Sequence, residues 1–168
     1  VYEWRDMPSD RSLSFSADGS RFCVAIGGEK RVEVRESLSG GLVREFELPV
    51  VPAATVAFCP LGERLAAADS RGFVIVWTLA TGEQLVVGEA FNAAAAHGIE
   101  WSPDGSAFVA MRFSSRTLYR IDDGVSVHLR GAGGVLWEGR FSPDGRSFLA
   151  GGQSGSLFRW DLEARPPV

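Results

Sequence analysis

Residues Phe141–Asp161 read FSPDGRSFLAGGQSGSLFRWD. Pro143-Asp144-Gly145 is turn chemistry: proline presets its own φ, and glycine accepts the positive φ that closes a tight turn. After it comes the short apolar run SFLAGG. A Gly/Ser turn follows, then a second run, SLFRWD, which ends on Trp160-Asp161. Two runs of strand length joined by a turn make a hairpin. Whether that hairpin stands alone decides the fold.

It does not stand alone. The opening motif occurs as FSADG at 15–19, FCPLG at 58–62, WSPDG at 101–105 and FSPDG at 141–145, at spacings of 43, 43 and 40 residues. Each copy is preceded by an alternating stretch: RSLSF, ATVAF, HGIEW or WEGRF. Each is followed by an apolar run, a second turn and a third run: RVEVRE, FVIVWT, TLYRID or SLFRWD. In the first three copies a further turn leads to a fourth run, such as LVREFEL or EQLVVGEA. The runs alternate with period two, and no stretch carries a helical period of 3.6. Four short strands per unit of about forty residues, repeated, mark an all-β chain of propeller blades. The units fall at 11–48, 54–90, 97–131 and 135–162. The opening VYEWR, within residues 1–6, is an orphan strand that could close a last blade. Four units are few for a ring. The chain is therefore expected to belong to a larger propeller, or to a ring completed by a second copy, with self-association through its open blades.

The SPDG turn followed by RWD resembles the WD-repeat family, over nearly the whole chain. The resemblance implies a propeller that binds other proteins. The copies are degenerate: Trp77 and Trp160 take the family's tryptophan position, and Arg35 and Ile121 take it in the other two units. The family's Gly-His pair is missing, because His97 in HGIEW lies too close to the turn. The resemblance therefore implies no His-Ser-Asp-Trp network, so packing must hold the blades.

Composition bounds the function. The 168 residues carry a formal net charge of −4, which argues against a dedicated nucleic-acid or membrane-surface binder. No apolar stretch reaches the roughly 18 residues of a membrane helix. Cys23 and Cys59 sit among apolar residues without a Cys/His cluster, so neither a zinc site nor a disulfide framework is expected. A cytoplasmic setting fits, with the nucleus second. The start without Met reads as a fragment of a longer protein.

Catalysis finds little footing. Asp18, Asp104 and Asp144 recur because the turn recurs, and only two histidines are present, His97 and His128. No cofactor or metal is expected. Charge is more informative. Antiparallel connectivity puts all second-to-third turns on one side of a disc. They carry Lys30, Arg31, Arg71, Arg112 and Arg116 against Glu29 and Asp69. The other side carries Asp18, Glu36, Glu63, Glu83, Asp104, Asp122, Asp123 and Asp144 against Arg21, Arg35, Arg64 and Arg146. The sequence reading is thus a non-catalytic interaction scaffold with a basic face for an acidic or phosphorylated peptide, and His97 as a further contact. Two alternatives are the propeller domain of a hydrolase or peptidase, and an RNA-associated propeller.

Overall fold

A computed structural model describes residues 12–26, 28–48, 53–88, 96–112, 115–131 and 134–163. Every regular element among them is a strand, and the strands form four antiparallel sheets. The first sheet comprises β1 (Leu13–Phe15), β2 (Arg21–Ala25), β3 (Arg31–Glu36) and β4 (Leu42–Glu47). The second comprises β5 (Ala53–Phe58), β6 (Arg64–Asp69), β7 (Val74–Thr78) and β8 (Gln84–Gly88). The third comprises β9 (Ala96–Trp101), β10 (Ala107–Arg112), β11 (Arg116–Arg120) and β12 (Ser126–His128). The fourth holds three described strands, β13 (Leu136–Phe141), β14 (Ser147–Gly152) and β15 (Leu157–Asp161). Strands pair in sequence order within each sheet, as the tight turns between them require. The closing strand expected at 1–6 lies outside the described residues.

Each strand alternates between its two faces, so a four-stranded sheet has two faces to cover. The sheets cover them by stacking face to face. Val34, Phe46 and Trp77 belong to the core between the first two sheets. Val76, Trp101 and Phe108 belong to the core between the second and third. Leu118, Phe148 and Trp160 belong to the core between the third and fourth. Val24, Ile26, Val32, Val34, Val109, Leu118 and Phe148, with Trp77 and Trp160, are all buried. The first strands β1, β5, β9 and β13 adjoin in turn. This is the arrangement of propeller blades, in an open stack. Among the described residues no core cluster joins the fourth sheet to the first, and Leu13 and Phe15 of β1 are largely exposed.

The register corrects one assignment. Trp77 pairs with Leu65, Trp160 with Phe148 and Arg35 with Phe22. The matching partner of Phe108 is Tyr119, not Ile121, which lies beyond the strand. The second-to-third turn is one residue shorter in the third sheet than in the fourth, since Met111 pairs with Arg116 and its counterpart Gly151 with Leu157; the position thus falls one residue earlier in its unit than Trp160 does, and Ile121 lies two residues past it. Tyr119 does the aromatic's work there, stacked on Phe108 with ring centroids 5.1 Å apart.

Candidate interaction surfaces

The recurring aspartates are turn-formers. The Ser16 hydroxyl donates to Asp18 Oδ1 at 2.6 Å, and the Ser20 amide donates to the same oxygen at 3.0 Å. The Arg21 amide in turn donates to Ser16 Oγ at 2.9 Å. Ser102–Asp104 and Ser142–Asp144 repeat the clasp at 2.6 and 2.5 Å. The serine hydroxyl is the main reason that all three carboxyls ionise more readily than usual, Asp18 at about 2. In the second sheet Cys59 and Leu61 replace the serine and the aspartate. A Cβ added at Gly105, in the turn of the third sheet, would fall 2.7 Å from Cys59 Sγ and 3.3 Å from Leu61. An apolar contact between blades thus replaces a polar clasp within one.

The expected basic face comes apart in the structure. Lys30 and Arg71 are exposed at their turns. Arg31 is half-buried and ion-paired with Glu29, with Glu45 at 2.9 Å and with Glu33 at 3.5 Å, so its surroundings are acidic. Arg112 and Arg116 are 3% and 2% exposed. Arg112 Nη2 donates to the carbonyl of Gly72, in the turn of the second sheet, at 2.5 Å. Arg116 Nη2 donates to the carbonyl of Gly134, ahead of the fourth sheet, at 3.0 Å. Their expected exposure is therefore corrected: both side chains lie in the joints between sheets. A loop carbonyl buried in such a joint needs a donor, and a long guanidinium with five N–H groups can reach one. At the first joint Arg44 plays the same part, donating to Leu79 and Ala80 carbonyls at 2.6 and 3.1 Å.

His97 sits at a β-bulge. Ala96 pairs with Arg112 and Gly98 with Met111, so His97 is the extra residue on β9. Ala54 on β5 and Trp137 on β13 are bulged at the equivalent point. A bulge leaves its residue out of the ladder and re-aims the side chain. His97 is half-buried, whereas Trp137 is 56% exposed. Burial is the main cause of the lowered pKa of His97; neighbouring Arg116 also lowers it, and contacts with the Leu136 and Trp137 backbone oppose the shift. Sequence patterning missed Trp137, because a bulge breaks the alternation that the eye follows.

The opposite side is acidic and carries a cleft between the third and fourth sheets, of about 370 Å³. Its floor includes Leu118, Phe141 and Leu162, and its rim includes Asp104, Asp122, Asp123, Asp144 and Glu163. The two first turns that form its walls are fixed by their serine clasps and by backbone bonds. Ile121 N–H donates to Ser106 and Leu162 N–H to Arg146, both at 2.9 Å.

No protein-family model matches the chain. It is 25% identical, over 174 aligned positions, to the angio-associated migratory cell proteins of Homo sapiens, Pongo abelii and Canis lupus familiaris. The alignment takes in 96% of this chain but only 39% of those proteins. The likeness is weak and extends over most of the chain. With the stacked antiparallel sheets, it fits a WD-repeat propeller.

Proposed function

We propose that the chain is a non-catalytic protein-interaction scaffold, a WD-repeat region working within a larger assembly. The observation that carries this reading is the joint architecture. Arg44, Arg112 and Arg116 tie each sheet to a loop of its neighbour, so the turns project from a rigid frame. Loops held in place by a scaffold can bind with little ordering cost. The distant likeness to angio-associated migratory cell protein supports a propeller of this kind. The serine clasps support the non-catalytic part: the recurring carboxylates that would attract an enzymatic reading are occupied by their own turns. Free, buried Cys23 and Cys59 support placement in the reducing cytoplasm.

A random-peptide phage library panned against the folded chain tests the reading. Enrichment of peptides that bind the native chain, but not the urea-unfolded one, is expected. Failure to enrich any peptide would overturn it, and release of cleaved peptides would favour the peptidase alternative.

A further inference from the structure

We propose that the cleft between the third and fourth sheets is a docking site for a basic peptide segment, one that presents arginine or lysine beside an apolar side chain. This deepens the scaffold reading and rests on it. The cleft differs from a merely acidic patch in having an apolar floor. Phe141 is partly open to solvent at the base, with Leu118 and Leu162 beside it. A volume of about 370 Å³ is within the range of clefts that enclose ligand side chains.

Charge complementarity selects the occupant. The lining holds five carboxylates and two guanidinium groups, which leaves three negative charges in one cleft of a chain whose formal net charge is −4. Both arginines are already engaged. Arg146 pairs with Glu163 at 3.2 Å, and Arg120 points Nη2 at the Leu162 carbonyl, 3.4 Å away. Asp122 is exposed and makes no hydrogen bond or ion pair among the described residues. An arriving guanidinium can therefore meet at Asp122 a carboxylate with no partner among the described residues, while its neighbouring apolar side chain covers Phe141. The walls are pre-set by the Ser102–Asp104 and Ser142–Asp144 clasps, so binding needs no reordering of the turns. Charge-assisted, paired hydrogen bonds favour arginine over lysine at such a rim.

The test uses a fluorescent decapeptide of alternating arginine and leucine, and a partner decapeptide with glutamate in place of arginine, read by anisotropy at low and at moderate salt. Two doubly reversed variants carry the same change of net charge. One, Asp122→Lys with Glu163→Lys, alters the cleft; the other, Glu47→Lys with Glu83→Lys, alters exposed sites elsewhere. The arginine peptide should bind wild type and the remote variant within about twofold of each other, and the cleft variant at least tenfold more weakly. The glutamate peptide should not bind, and the methyl resonances of Leu118 and Leu162 should shift on titration with the arginine peptide. Equal loss in both variants would reduce the effect to net charge and overturn the proposal. So would equal binding of both peptides, or no binding of the arginine peptide. The phage selection separates the two levels: enriched peptides that are not basic, or that map elsewhere, leave the scaffold standing and remove this cleft from it.

Discussion

Arg112 and Gly72 meet across the joint between the second and third sheets. The guanidinium donates to the glycine carbonyl over 2.5 Å, and a Cβ at Gly72 would fall 2.6 Å from the same nitrogen. Gly72 also has φ of +89°, which a side chain resists. The pair is one device, made of a backbone without a side chain and a side chain that fills the space. Arg112→Met leaves the carbonyl buried without its donor and should cost about 1–3 kcal/mol. Gly72→Ala should also destabilise, whereas exposed Arg71→Ala should change stability by less than about 0.5 kcal/mol. Urea unfolding of the three variants checks the order; an Arg112 variant as stable as the Arg71 variant would remove the staple.

Trp77 is 2% exposed and packs on Phe46 with ring centroids 5.2 Å apart. Trp77→Ala should lose about 3–5 kcal/mol, as buried aromatic deletions do. Asp104→Asn, at an exposed turn, should lose far less. Denaturant midpoints decide between them, and a larger loss at Asp104 would contradict the account of the clasps as local.

His97 has a folded pKa below its ordinary value of 6.5, chiefly from burial and also from the nearby Arg116 of the same sheet. The folded state therefore prefers the neutral ring. Its contribution to stability is fully present above pH 6.5 and is lost as the pH falls below 6.5 toward the folded value. The urea midpoint should decline from pH 7.5 to 5.5, and His97→Gln should flatten that decline. An unchanged slope in the variant would place the titration elsewhere.

Burial pushes the Cys23 thiol up to about 12 and raises that of Cys59 as well. Thiolate is the reactive form, so both should resist iodoacetamide at pH 8 in the native chain and react promptly in urea. Mass spectrometry of the alkylated protein counts the labels. Rapid native labelling at Cys59 would show that its contact with the Gly105 turn opens readily.

The blades were legible because turn residues and alternating runs are local signals. Phe15, Phe58, Trp101 and Phe141 mark each hairpin without reference to the rest of the chain. The surface was less legible because it depends on reach. The sequence places Arg112 beside a turn, but its guanidinium ends on a carbonyl forty positions earlier, and nothing local encodes that. Tyr119 was missed for a smaller reason: Ile121-Asp122 mimics Trp160-Asp161, whereas the residue that pairs with Phe108 stands two positions earlier. His97 and Trp137 depend on bulges, and a bulge is visible only once both paired strands are known. The acidic side survived better, since Asp122 and Asp123 sit at a turn tip with no deep joint to enter.

The open stack of sheets has a consequence for how the chain comes apart. Among the described residues, core packing covers both faces of the second and third sheets and one face of the first and fourth. Such an array behaves as a line of units coupled only to their neighbours, so its cooperativity is graded along the line. Opening should begin at the outer sheets and move inward. Amide protons of β6, β7, β10 and β11 should then exchange last, and those of the three-residue strands β1 and β12 first. The chain is in this sense a linear lattice with a resistant centre, and a partner that bridges the third and fourth sheets would move that centre toward the fourth.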